Sequence, residues 1–124
     1  MRIMIVDDSR AMRLIVRRTL REAGFGHNEI IEKANGKEAL EALRDGSFDL
    51  VLSDWNMPEM TGIELLEALN AEDNKARFGF VTSEGSDEIR GRAMSTGALF
   101  LVIKPFAAET FQALFRTHAP GAFA

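Results

Sequence analysis

The sequence predicts an α/β domain, doubly wound, with a five-stranded parallel sheet covered by helices on both faces. Two observations predict it. Short strand-like apolar runs alternate with segments of helical period along the whole chain, the pattern of right-handed βαβ crossovers. Several of the runs are apolar on both faces instead of alternating, as central strands of a buried parallel sheet must be.

The first strand is predicted at Arg2–Val6. Helical spacing comes next over Arg10–Ala23, with Met12, Ile15, Val16 and Leu20 on one face and Gly24 as the stop. Glu29–Ala34 is the second strand, and Gly36–Asp45 the second helix, carrying Ala39, Leu40 and Leu43 and ended by Gly46. Leu50–Ser53 is the third strand. Thr61–Asn70 brings Ile63, Leu66 and Leu69 into helical register. The fourth strand is Phe78–Thr82. Asp87–Thr96 is a weaker helix, because Gly91 at its middle costs about 1 kcal/mol relative to alanine. Ala98–Ile103, the most continuously apolar run, is the fifth strand, and Ala107–His118 closes the pattern with Phe111, Leu114 and Phe115.

Composition bounds the function. A chain of 124 residues, 46% apolar and 27% charged, is an ordinary globular domain. The net charge of −4 offers no global attraction for nucleic acid. With no cysteine there is no disulfide framework, thiol catalysis or thiolate metal site. His27 and His118 are too few and too far apart in sequence for a histidine-rich zinc centre, and both are expected at the surface. The six apolar residues Ala98–Ile103 cannot cross a bilayer, and Met1 leads straight into a strand without a signal-peptide apolar region. The expectation is one cytoplasmic domain, residues 1–124, with no membrane or nucleic-acid partner. Gly24-Phe25-Gly26 comes after a helix instead of a strand, so it is no dinucleotide fingerprint.

In open α/β sheets ligands bind beyond the carboxyl ends of the strands, so the residues just after each strand carry the chemistry. These are Asp7 and Asp8, then Asp54, then Thr82-Ser83, then Lys104-Pro105. Three carboxylates on one rim repel, and an oxygen-only donor set suits a hard cation, Mg²⁺ before Ca²⁺. Asp8 and Asp54, with a backbone carbonyl and waters, leave coordination positions free for a phosphate oxygen. Lys104 and the Thr82 hydroxyl are placed to take other phosphoryl oxygens, with Asp54 as nucleophile. A single acidic residue at a strand end is ordinarily a helix cap or a solvated loop; the ordered set of all of them is what stands out.

Val6-Asp7-Asp8-Ser9, the stretch from Ser53 to Gly62 (Ser-Asp-Trp-Asn-Met-Pro-Glu-Met-Thr-Gly), Val81-Thr82 and Lys104-Pro105-Phe106 resemble the receiver domain of bacterial response regulators, and within it the single-domain chemotaxis regulators. The resemblance runs along essentially the whole chain, with no output domain beside it. It implies a flavodoxin-like (βα)5 fold with strand order 2-1-3-4-5 and a cis Lys104-Pro105 bond. It implies that Asp54 accepts a phosphoryl group from a histidine kinase or phosphotransfer protein, with Mg²⁺ held by Asp7, Asp8, Asp54 and the Asn56 carbonyl. Thr82 and Lys104 then contact the phosphoryl oxygens, Asn56 and Glu84 govern phosphoryl lifetime, and an output protein binds the face of the fourth helix, fifth strand and fifth helix of a monomer.

Two departures concern output. Position 101, commonly Tyr or Phe in these regulators, is Leu101, and Phe100 cannot replace it because adjacent strand residues face opposite sides. The segment Ala71–Arg77 is slightly short. Arg10, Arg13, Arg17 and Arg21 share a helical face that reads as solvated, with docking to an acidic phosphodonor as the alternative. Trp55 reads as a partly exposed loop ring in preference to a binding hot spot. Two other functions compete: a degenerate or phosphate-sink receiver serving as an interaction module, and a phosphohydrolase of the haloacid-dehalogenase type. Against the first, every phosphorylation residue is present. Against the second, Asn56 stands where that class has a second Asp, and no sequence remains for a cap domain.

Overall fold

In the computed structural model, which describes residues 1–124, the expected alternation is complete. It runs β1 (Arg2–Val6), α1 (Arg10–Glu22), β2 (Glu29–Lys33), α2 (Gly36–Asp45), β3 (Leu50–Ser53), α3 (Gly62–Ala71), β4 (Arg77–Thr82), α4 (Asp87–Thr96), β5 (Phe100–Ile103) and α5 (Ala108–His118). A final 3-10 turn covers Pro120–Phe123. The strands form one parallel sheet in the order β2-β1-β3-β4-β5, so the two edges are β2 and β5. This is the order that the sequence resemblance implies.

Four of the helices begin where a short polar side chain takes up an orphan backbone N–H: Ser9, Asn35, Thr61 and Ser86 accept from Met12, Glu38, Glu64 and Ile89. At Thr61 the cap is reciprocal, since the Glu64 carboxylate accepts the Thr61 N–H. The fifth strand is shorter than its apolar run. Ala98 N–H instead closes onto the Ala93 carbonyl and finishes α4, so the strand starts at Phe100.

The strands divide the core into two layers. On the α2, α3 and α4 side, Met4, Val6, Val51, Phe78, Phe80 and Leu101 pack with Leu40, Ile63, Leu66 and Ala93. On the α1 and α5 side, Ile3, Ile5, Leu50, Leu52, Val81, Phe100 and Val102 pack with Val16, Leu20, Phe111 and Phe115. Phe100 and Leu101 thus lie on opposite faces of β5, as the strand period requires. In α1 the buried line is Val16, Thr19 and Leu20. Ile15, expected on that face, is 46% exposed, and Thr19 takes a place in the buried line instead. No helix is long and apolar enough to cross a membrane.

Gly79 and Phe100 are register partners on β4 and β5. A Cβ at position 79 would fall 2.1 Å from Phe100 Cε1, so the ring occupies the space a side chain would need. Gly79→Ala is expected to lower unfolding free energy by about 1–3 kcal/mol through overpacking. Urea denaturation checks this, and Phe100→Leu in the same background should recover part of the loss.

Candidate functional site

Each strand carries its polar residue to the same rim. The chain leaves β1 through Asp7, whose N–H continues the ladder to the Lys33 carbonyl at 3.1 Å, and leaves β3 through Asp54, whose N–H donates to the Val6 carbonyl at 2.9 Å. These backbone bonds keep both aspartates in strand register beyond the last formal strand residue. Lys104 comes directly after β5, where its peptide bond to Pro105 is cis, and Thr82 ends β4 fully buried.

Carboxylate oxygens of Asp7, Asp8 and Asp54 lie within 4.8 Å of one another. The Lys104 ammonium sits between two of them, 3.1 Å from Asp7 Oδ2 and 3.2 Å from Asp54 Oδ2. Their remaining oxygens take backbone donors. Ser9 N–H reaches Asp7 Oδ1 at 2.9 Å, and Trp55 N–H reaches Asp54 Oδ1 at 2.7 Å. Burial nevertheless dominates at Asp7 and pushes its carboxyl above the ordinary value of 3.8. The Ser9 N–H and Lys104 act in the opposite direction, and the Asp54 charge adds to the rise. Asp8 is exposed.

The loop after β3 depends on Gly62. A Cβ there would lie 2.1 Å from the Asp54 carbonyl oxygen, while its N–H donates to the Trp55 carbonyl at 2.9 Å. Helix α3 therefore starts directly against the backbone of Asp54. Across the mouth of the site, Asn56 Nδ2 donates to Glu84 Oε1 at 3.2 Å, and Glu84 N–H donates to Thr82 Oγ1 at 3.2 Å.

The rim thus gathers Asp7, Asp8, Asp54, Asn56, Thr82, Glu84, Lys104 and Pro105. Leu101 is not among them; it is buried beneath α4. Two expectations are corrected. Trp55 is no exposed loop ring but 6% accessible, packed on Phe80 at 4.8 Å with the Arg92 guanidinium of α4 at 6.0 Å from its ring centroid. The arginine face of α1 is only partly solvated, since Arg13 and Arg17 both turn to Glu32 on β2. His27 is exposed, whereas His118 is half-buried, its ring 5.7 Å from that of Phe100. Sequence reasoning misses the amides of Ser9 and Trp55, since backbone donors leave no trace in residue type.

The donor set is all oxygen, and the buried Asp7 carboxyl beside two others is stabilised by positive charge, so these residues fit a hard divalent cation. Chemically, the rim presents three carboxylates, an ammonium and a buried hydroxyl.

Residues 3–116 match the family model described as the response regulator receiver domain. The chain is 39% identical over 114 residues to chemotaxis protein CheY-3 of Vibrio cholerae serotype O1, covering 90% of this chain and 86% of that protein. It is also 39% identical over 114 residues to chemotaxis protein CheY of Pseudomonas aeruginosa, covering 90% of each. Among solved structures, V. cholerae CheY4 superposes with a TM-score of 0.82 at 32% identity, over 94% of this chain and 97% of that one. A signal receiver domain from Vibrio parahaemolyticus shares the fold, with a TM-score of 0.87 at 21% identity over 98% and 91% of the two chains.

Folded Asp7 holds its proton more tightly than unfolded Asp7, so its contribution to stability becomes unfavourable as pH rises from 3.8 through its raised value. Urea unfolding without divalent cations should show Asp7→Asn gaining on the wild type across that interval, with a constant advantage above it. A flat difference between the two across this range is the contrary result.

Proposed function

The chain belongs to the response regulator receiver domain family, and from that membership we propose that it is a phosphorylation-driven switch of two-component signalling with Asp54 as phosphoacceptor. Receiver domains of this kind are signalling proteins and not classical enzymes. The observation that carries the reading is the Lys104 ammonium held between Asp7 and Asp54 within a cluster of three carboxylates.

An Asp54 carboxylate oxygen attacks the phosphorus of a phosphohistidine on a histidine kinase or phosphotransfer protein. The new O–P bond forms as the P–N bond breaks, and the departing imidazole takes the electron pair. Asp7, Asp8, Asp54 and the Asn56 carbonyl are the residues that would hold Mg²⁺, which would supply charge neutralisation for the phosphoryl oxygens. Lys104 already bonds Asp54 and needs little movement to bond a phosphoryl oxygen instead. The Thr82 hydroxyl, presently accepting from Glu84 N–H, turns towards the phosphoryl group. The donor approaches over α1, where exposed Leu14 and Ile15 with Arg10 and Arg21 suit an acidic partner with apolar contacts.

Output leaves through α4, β5 and α5 to a protein partner. Leu101 supplies no ring to swing between core and surface, so the change runs through Trp55, whose backbone N–H donates to the Asp54 carboxylate and whose ring faces the Arg92 guanidinium of α4. Its likeness to the CheY relatives supports a chemotaxis-like pathway as the setting.

Acetyl phosphate with Mg²⁺ should add one phosphoryl group, acid- and base-labile as an acyl phosphate, and Asp54→Asn should abolish it. Metal-independent labelling, or labelling retained in Asp54→Asn, contradicts the reading. Once labelled, Asn56→Met and Glu84→Leu should change the half-life of the phosphoryl group more than Mg²⁺ affinity, because they border the path of the attacking water. Unchanged half-lives in both would remove these residues from that role.

A further inference from the structure

We propose that Arg13 is a positioning residue that sets the Mg²⁺ affinity of the acidic corner by fixing the peptide from which Asp7 and Asp8 project. The inference rests on the Mg²⁺ reading above and adds a residue outside the rim.

Three residues, Asp7 to Ser9, connect β1 to α1. The Asp7 N–H is tied to β2 through the Lys33 carbonyl, but its own carbonyl lies beyond the strand ladder. Arg13, at the start of the second turn of α1, donates from Nη1 to that carbonyl at 2.7 Å. The same guanidinium donates from Nε to Glu32 Oε1 at 3.1 Å, and Glu32 Oε2 accepts from Arg17 Nη1 at 2.9 Å. The Arg13 side chain is only 15% exposed and that of Glu32 23%. The planar fork of arginine is therefore held by a residue adjacent to Lys33, so both ends of the Asp7 peptide are anchored to one edge strand. A lysine cannot make both bonds in fixed geometry. Rotation of the Asp7–Asp8 peptide would redirect both carboxylates, and partners that orient metal ligands in this way ordinarily change affinity by about 10–100-fold when lost.

Charge alone predicts the opposite sign. A cation near the corner repels Mg²⁺, so neutralising Arg13 would tighten binding if the field were its whole effect. Positioning predicts weaker binding for Arg13→Gln, and also for Arg13→Lys, which keeps the charge.

The experiment is a Mg²⁺ titration monitored by Trp55 emission and by the backbone amide shifts of Asp8 and Asn56, with urea midpoints measured on each protein. Arg13→Gln and Arg13→Lys should bind about tenfold more weakly than wild type. Arg18→Gln, which removes the same charge from an exposed position on α1, should bind as wild type does. Glu32→Asp, which keeps the charge but shortens the reach to the Arg13 guanidinium, should weaken binding in the same direction, and it serves as the test should an Arg13 variant fail to fold. Equal or tighter binding by the Arg13 and Glu32 variants overturns the inference and leaves the proposed function standing. No Mg²⁺ response in the wild type overturns both.

Discussion

Like charges gathered on one rim of a sheet need a cation between them, and in this protein Lys104 is that cation. Its ammonium bonds Asp7 and Asp54, the residues that follow β1 and β3, from the carboxyl end of the edge strand β5. The bond spans the β4 position occupied by Thr82, so one side chain ties together the carboxyl ends of four strands' worth of sheet. Burial works against it. Asp7 is 4% exposed and its carboxyl is pushed towards the neutral form despite Lys104 and the Ser9 N–H. A site in which burial strains a carboxylate and a single ammonium relieves it is one that a bound divalent cation stabilises further by mass action.

The remainder of the fold serves to keep those ends level. Gly62 lets α3 begin against the Asp54 carbonyl, and Gly79 leaves room for the Phe100 ring over β4. Trp55, fixed between Phe80 and Arg92, makes the residue after the proposed phosphoacceptor part of the core beneath α4. Helix α4 buries only Ala93 among its residues, which makes it the least anchored of the helices. Under the proposed function that pairing of a fixed ring and a loosely held helix replaces the ring absent at Leu101. A cation–π contact at an exposed site is worth about 0.5–1 kcal/mol, whereas moving a population from 1:99 to 99:1 needs about 5.5 kcal/mol. The Trp55–Arg92 contact therefore transmits a change whose energy has to come from the phosphoryl charge and its partners.

Much of this is legible in the sequence, because periodicity and strand-end polarity are both local properties. Strands and helices fall within two residues of expectation at every end. Asp7, Asp8, Asp54, Thr82 and Lys104 emerge from the polar residues at the carboxyl ends of the strands. Strand order is the part that the residues alone leave open, since crossovers of either direction satisfy the same alternation; the family resemblance supplies it. Ile15 is misplaced by periodicity because helical spacing groups residues on one face without fixing where the buried stripe ends. Trp55 is misplaced because a loop residue is expected outside the core, whereas the close approach at Gly62 folds this loop inward. Arg13 reads with its helix neighbours as a solvated charge; its partners, Glu32 and the Asp7 carbonyl, lie across a crossover and at a backbone atom that no helical wheel displays.

The most direct measurement is thermal unfolding of wild type and Lys104→Gln, each with and without Mg²⁺. If the ammonium is what reconciles the carboxylates, Lys104→Gln is less stable than wild type without metal, and Mg²⁺ raises its midpoint by more than it raises that of wild type. Equal metal-free stability, together with no Mg²⁺-dependent rise in either protein, would show that the three carboxylates neither depend on Lys104 nor form a cation site.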